Sequence, residues 1–138
     1  MVVIGFDFGI KYIGVAVGQF ITKTAVPVAS IFVKNNLIDW NVIASFIYNW
    51  EPDCLVVGYP LGFERKNVFF CNKLEIFINN LKNKYSMPVY IIDEELSTWE
   101  AKKTYTFFER KCSFEYYSKL NATVAAILVE RWFLGSSF

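Results

Sequence analysis

The stretch that decides the fold is Val2-Val3-Ile4-Gly5-Phe6-Asp7-Phe8, an almost continuous apolar run that ends around one carboxylate. A short run of continuous apolarity is typical of a strand buried on both faces, and therefore of the central strand of a sheet. A short turn with glycine follows, and Tyr12–Gly18 predicts the second arm of a hairpin. The chain therefore begins with a buried strand that carries Asp7 to one edge of the sheet.

The rest of the chain alternates between short apolar strands and amphipathic helices. Further strands are predicted over Ala25–Val33, Cys54–Gly58 and Val89–Ile92. Helices are predicted to begin at Asp39 or Asn41, after Asn67, at the Ser97 capping box (to about Arg110) and at Ser118, with a loop over Lys111–Tyr117. This order predicts an α/β fold: a mixed five-stranded sheet in the order 3-2-1-4-5, with helices on both faces.

Composition limits the function classes. The chain has 138 residues, 54% of them hydrophobic, and a net charge of +1, which predicts a single globular domain over residues 1–138. It has no histidine, which excludes Ser-His-Asp hydrolases, HExxH metalloproteases and zinc sites that need imidazole. Three scattered cysteines without a CxxC motif fit a reducing compartment. With no long apolar run and no signal sequence, we expect a cytoplasmic protein without a membrane partner.

Polar residues gather at the edge where the predicted strands end. Asp7 ends the first strand, Asp93 and Glu94 end the last, and Asn121 begins the apolar stripe of the final helix. Ligands of such sheets bind beyond the carboxyl ends of the strands, so we expect these four residues to form the catalytic site. Converging carboxylates are costly unless a cation neutralises them, which predicts Mg²⁺ or Mn²⁺ held by Asp7, Glu94 and Asn121. Such ions assist phosphoryl displacement without histidine.

Each of these residues also has a simpler interpretation when it is taken alone. Asp7 can accept hydrogen bonds within the turn that follows it, and Asp93 and Glu94 can be loop acids near a helix start. Asn121 can be a residue of a turn or a helix cap. The pair Arg65-Lys66, in the predicted loop, is more often solvated than in contact with phosphate. The combination of residues, and no single member, favours a site.

Three motifs in order resemble one family. The segments Asp7–Ala16 (DFGIKYIGVA), Val56–Leu61 (VVGYPL) and Asp93–Thr98 (DEELST) resemble the YqgF family, also called the RuvX or Holliday junction resolvase family, which has the ribonuclease H-like fold. The resemblance covers essentially the whole chain. It implies a cytoplasmic bacterial nuclease that hydrolyses phosphodiester bonds with a divalent metal and processes the 5′ end of pre-16S ribosomal RNA.

The family's site residues map onto this sequence with one important difference. Asp7 matches the acid of the first strand, and Asp93 and Glu94 match the acidic start of the Asp-Glu-Arg-Leu-Thr/Ser-Thr motif. Asn121 stands where the family usually has an aspartate. An amide oxygen can ligate Mg²⁺, but it brings no negative charge and cannot act as a base, so the resemblance implies an attenuated site.

Other departures concern the nucleic-acid contacts. Glu95 replaces the arginine of the family motif, which puts an acid where a cation would attract phosphate. Residues Gly62–Lys66 replace a loop that usually reads Asn-Met-Asp-Gly followed by Ser or Thr. The candidate nucleic-acid-binding residues are the cations Lys11, Arg65 and Lys66.

Alternative functions follow from the same features. Asn121 favours a non-catalytic RNA-binding factor of ribosome assembly, while the retained Asp7, Asp93 and Glu94 favour a nuclease. A DNA Holliday junction resolvase, acting as a two-fold dimer, is a third alternative. For the chain itself, we expect a monomer or a weak homodimer. An actin-like ATPase is disfavoured because 138 residues leave no second lobe to close over a nucleotide.

Overall fold

The computed structural model describes residues 1–60, 68–94 and 113–135, with the side chains of the last range from residue 119 onward. The elements are β1 (Val2–Phe8), β2 (Tyr12–Gln19), β3 (Thr24–Phe32), α1 (Trp40–Trp50), β4 (Cys54–Tyr59), α2 (Val68–Lys84), β5 (Val89–Asp93) and α3 (Ser113–Gly135). They form a five-stranded sheet in the order β3-β2-β1-β4-β5, in which β1 pairs antiparallel with β2 and parallel with β4. The predicted architecture and strand order are confirmed.

The central strand β1 divides its side chains between two hydrophobic layers, because successive residues of a strand point to opposite faces. Phe6 and its alternate neighbours belong to the core that α1 and α2 cover. Val3 belongs to the layer on the other face, which includes Val129 of α3. Asp7 has the same parity as Val3, and it therefore faces α3.

The layer beneath α1 and α2 is built from aromatic contacts. Phe77 of α2 meets Phe6 edge-on, with ring centroids 5.6 Å apart, and Trp40 stacks on Phe77 at the same separation. The start of α1 is fixed by Asp39, whose carboxylate accepts a hydrogen bond from the backbone N–H of Asn41 at 3.1 Å. Of the two predicted caps, Asp39 is therefore the one used. The layer under α1 and α2 lies on the face of the sheet opposite to Asp7.

The layer beneath α3 is thin because small residues line it. Gly14 of β2 lies directly under the helix: a Cβ at this position would collide with the backbone carbonyl of Asn121 and lie 2.7 Å from the backbone nitrogen of Ala122. Ala16 and Ala125 pack in the neighbouring part of the same layer. Because Gly14 is the cross-strand partner of Asp7, this close approach brings the helix backbone beside the end of β1.

The final helix is where the predicted boundaries are wrong. We expected a loop over Lys111–Tyr117 and a cap at Ser118, whereas α3 already begins at Ser113. No glycine or proline occurs between Ser113 and Leu134, so helix propensity continues through Ser118. The helix predicted over Ser97–Arg110 lies outside the described residues. None of the helices within the described ranges is both long enough and apolar enough to span a membrane.

Replacing Gly14 with alanine tests the close contact between sheet and helix. The new Cβ meets helix backbone, which cannot rotate away, so we expect Gly14→Ala to lower the free energy of unfolding by about 3 kcal/mol. Gly18→Ala is the matched control: its Cβ would lie 2.6 Å from Val129 Cγ1, a side-chain atom that can move, so a loss of about 1 kcal/mol is expected. Urea denaturation measures both, and equal losses would contradict this description of the contact.

Candidate active site

Two acids are buried at the edge of the sheet. Of the residues that the structure describes, Asp7 and Glu94 are the buried ones with ionisable carboxyl groups, each 8% exposed. Asp7 is the last residue but one of β1, and Glu94 follows β5 directly. The backbone N–H of Glu94 donates to the carbonyl of Tyr59 at 3.3 Å, which continues the pairing of β5 with β4 by one residue. Glu94 is therefore held as an extension of the sheet.

The two acids approach each other across β4, which lies between β1 and β5. The Glu94 side chain lies over Gly58 of that strand: a Cβ on Gly58 would be 3.0 Å from Glu94 Oε2 and 3.1 Å from Glu94 Cβ. The charge of Glu94 and a hydrogen bond with its side chain both act on Asp7. The two carboxyl groups thus form one site, which we call the Asp7–Glu94 pair.

The electrostatics of the pair favour a bound proton or cation. Burial raises the pKa of Asp7 well above its ordinary value, and the negative charge of Glu94 and the hydrogen bond between the two side chains raise it further. Two ionised carboxylates in such a place repel each other and have little water to solvate them. A divalent cation would relieve both penalties, so the residues present fit an oxygen-ligated metal such as Mg²⁺ or Mn²⁺.

Asp93 lies on the other face of the sheet from the pair. Its partner in β4 is Tyr59, which belongs to the core under α1 and α2 and whose hydroxyl donates to Glu75 Oε1 at 3.0 Å. Because side chains alternate along the chain, Asp93 points toward the α2 side and Glu94 toward the α3 side. The structure thus brings Glu94, and not Asp93, to Asp7.

Strand alternation separates the two adjacent acids, but nothing in the sequence alone shows which face of the sheet each one occupies. Tyr90 and Ile92 have the parity of Glu94, and both pack with the α3 layer, Tyr90 against the ring of Trp132 at 5.2 Å. Because side chains alternate along the chain, Glu94 points to the same face of the sheet as these two residues, toward α3.

Asn121 lies above the end of β1, although not at the start of its helix. It is the ninth residue of α3, and its backbone carbonyl lies over Gly14, the cross-strand partner of Asp7. Its side chain is partly exposed. Within the described ranges, Asp, Glu, Cys and His residues form no group of three or more that could hold a metal. Asn121 carries a neutral amide oxygen, a type of group that can ligate Mg²⁺.

The predicted nucleic-acid contacts are only partly described. Lys11 is exposed in the turn between β1 and β2, at the same end of the sheet as Asp7, and its carbonyl accepts a hydrogen bond from the Val33 N–H at 2.7 Å. Arg65 and Lys66 lie outside the described residues.

The solved structures to which this chain is similar include resolvases. The chain is similar to RuvC of T. thermophilus in complex with a Holliday junction substrate, with a TM-score of 0.60 and 13% identity, over 98% of this chain and 94% of that one. It is also similar to the fowlpox virus Holliday junction resolvase, with a TM-score of 0.53 and 14% identity, over 99% and 100% of the two chains. These likenesses establish the ribonuclease H-like fold.

Sequence relatives are much closer. A protein of Legionella pneumophila (strain Paris) named "Putative pre-16S rRNA nuclease" is 36% identical over 131 residues, which cover 95% of this chain and 94% of the relative. A protein of the same name from Buchnera aphidicola subsp. Acyrthosiphon pisum (strain Tuc7) is 39% identical over 135 residues, covering 96% and 98%. The family model described as "RuvX: Holliday junction resolvase" matches residues 1–134, and the chain therefore belongs to the RuvX family.

Proposed function

We propose that this protein is a metal-dependent nuclease that cuts phosphodiester bonds in RNA, with pre-16S ribosomal RNA as its substrate in 5′-end processing. The observation that carries the proposal is the buried Asp7–Glu94 pair at the carboxyl ends of the strands, where sheets of this topology bind ligands. The RNA substrate is supported by the name that relatives at 36–39% identity carry.

In this proposal the protein's own residues bind and orient the metal. Asp7 and Glu94 supply anionic oxygens from two strand ends, and the side-chain oxygen of Asn121 supplies a neutral third. When bound, a divalent ion supplies positive charge that stabilises the phosphate during displacement. Glu94, and not Asp93, has the ligand role, since Asp93 faces α2. Lys11, Arg65 and Lys66 are proposed to contact the phosphate backbone.

The environment of the pair also contributes to the proposed chemistry. Leu128, which is fully buried, packs above Gly58, the residue over which the Glu94 side chain lies, so the helix excludes water from one side of the pair. In a site with little water, a positioned charge acts more strongly on a developing negative charge than it would in solution. The neutral Asn121 is expected to limit both metal occupancy and rate.

Cleavage of a DNA four-way junction is the second candidate function. It is favoured by the description of the matched family model and by the junction-bound RuvC among structures of the same fold. The RNA substrate is preferred because the names of far more similar proteins specify it. A non-catalytic RNA-binding factor is the alternative if neither substrate is cut.

The first test is cleavage by the wild-type chain and by Asp7→Asn. We expect the wild type with Mn²⁺ to cut a pre-16S RNA fragment that carries its 5′ extension, and Asp7→Asn to be slower by ~10²-fold or more, since one anionic ligand is lost. Gel assays of end-labelled RNA, with a labelled four-way DNA junction in parallel, measure the rates. Equal cleavage by both variants would remove the pair from the active site, and no cleavage of either substrate would favour the binding factor.

The second test restores the missing charge at position 121. Asn121→Asp is nearly isosteric, so packing should change little, and we expect cleavage to rise by ~10-fold, corresponding to about 1.4 kcal/mol of transition-state stabilisation. The increase in melting temperature caused by Mn²⁺ should also be larger than in the wild type, because tighter binding stabilises the folded state by mass action. If neither quantity increases, residue 121 is not at the metal, and the binding factor becomes the preferred function.

A further inference from the structure

We propose that Gly58 is a positioning residue for the Asp7–Glu94 pair: its lack of a side chain leaves the space over β4 through which Glu94 reaches Asp7. This inference rests on the proposed function and deepens it, because it names the residue that sets the geometry of the two acidic ligands.

The topology creates the need for such a space. Asp7 is on β1 and Glu94 follows β5, so the Glu94 side chain must cross β4 to reach the other acid. On the face toward α3, β4 presents Cys54, Val56 and then Gly58, and the first two carry buried side chains. Gly58 is therefore the position at which β4 has no side chain on this face.

The contacts at Gly58 leave little room for any other residue. A Cβ there would lie 2.7 Å from Leu128 Cδ1, 3.0 Å from Glu94 Oε2 and 3.1 Å from Glu94 Cβ. The Leu128 atom is the tip of a flexible side chain and can rotate away. Glu94 Cβ is attached to backbone whose N–H is hydrogen-bonded to the carbonyl of Tyr59. The Glu94 carboxylate would therefore have to move instead.

This role differs from that of Gly14 and Gly18, which also face α3. A Cβ at Gly14 would meet helix backbone, and a Cβ at Gly18 would meet the side chains of Val129 and Phe133. Among the glycines within the described ranges, Gly58 is the one where an added Cβ would approach an ionisable side chain. Packing of the helix explains the first two glycines, while the contact with Glu94 gives Gly58 a connection to the chemistry.

Small displacements of acidic ligands weaken metal sites, so the effect of filling this space is measurable. Residues that orient metal ligands typically change metal affinity by 10–100-fold when they are replaced. We therefore expect Gly58→Ala to raise the dissociation constant for Mn²⁺ by about 10-fold, at the lower end of that range. The measurement is the signal of free Mn²⁺ in electron paramagnetic resonance, with circular dichroism to verify that each variant is folded.

Two further variants separate positioning from packing. Gly18→Ala disturbs the packing of the same helix without touching Glu94, and its Mn²⁺ dissociation constant should stay within about two-fold of wild type, well below the change expected for an orienting residue. Adding Leu128→Ala to Gly58→Ala removes the contact with the helix and leaves the contact with Glu94, so the loss of metal affinity should persist although truncating the buried leucine itself lowers stability. If Gly58→Ala alone does not fold, the Mn²⁺ dissociation constant of the double variant is measured instead. Wild-type affinity in folded Gly58→Ala, or in the double variant, would overturn the inference.

A metal-free measurement distinguishes failure of this inference from failure of the proposed function. If the wild type binds no Mn²⁺, the proposed function fails, and the contact is then tested by combining Gly58→Ala with Glu94→Ala. The free energies of unfolding of the two single variants and their combination form a double-mutant cycle. A smaller cost of Gly58→Ala when Glu94 is truncated supports the positioning contact, and additive costs overturn it.

Discussion

The structure depends on placing two carboxyl groups in one buried position at the end of the central strands. Asp7 and Glu94 come from strands that are not neighbours, and the raised pKa of Asp7 reports the cost of burying it beside a second acid. Burying two carboxylates side by side has an unfavourable free energy, which must be offset by another interaction. A bound cation offsets it when it is present. In the metal-free chain, the raised pKa means that Asp7 binds a proton more readily than an exposed aspartate does.

Glycines make this arrangement sterically possible. Gly14 lets α3 lie so close to β2 that the backbone of Asn121 comes beside the end of β1, and Gly58 leaves the path by which Glu94 crosses β4. The apolar layer under α1 and α2, with Phe77 packed on Phe6, fixes the opposite face of the same strands. The site is therefore the place where a rigid sheet meets a helix that approaches unusually closely.

Much of the fold could be predicted from the sequence because it follows from local patterns. The apolar run Val2–Phe8 identified the central strand, and the order of the elements gave the sheet topology and the position of Asp7. The predicted start of α3 was wrong because a serine that can cap a helix can also lie inside one. Only tertiary structure decides between these two positions. Predictions that involve Arg65, Lys66 and the Ser97 helix lie outside the described residues.

The candidate site was predicted less completely, for physical reasons. Adjacent acids such as Asp93 and Glu94 look equivalent in a sequence, yet strand alternation sends them to opposite faces, and only Glu94 reaches Asp7. The glycines carried no chemical signal, because their contribution is the space that they leave, which depends on the positions of neighbouring elements. Asn121 was expected near the site from its position on the final helix and from the family resemblance, and the structure places its backbone over Gly14, the cross-strand partner of Asp7.

The proposed function requires that Asp7 and Glu94 share one buried site in which a divalent cation can take the place of a proton. The most direct measurement is the pKa of Asp7 from the pH dependence of its carboxyl ¹³C chemical shift, in the metal-free protein and with saturating Mg²⁺. We expect a metal-free pKa well above the ordinary value of 3.8, a fall in this pKa when Mg²⁺ is added, and a lower metal-free pKa in Glu94→Gln. A metal-free pKa near the ordinary value, unchanged by Mg²⁺, would contradict this requirement.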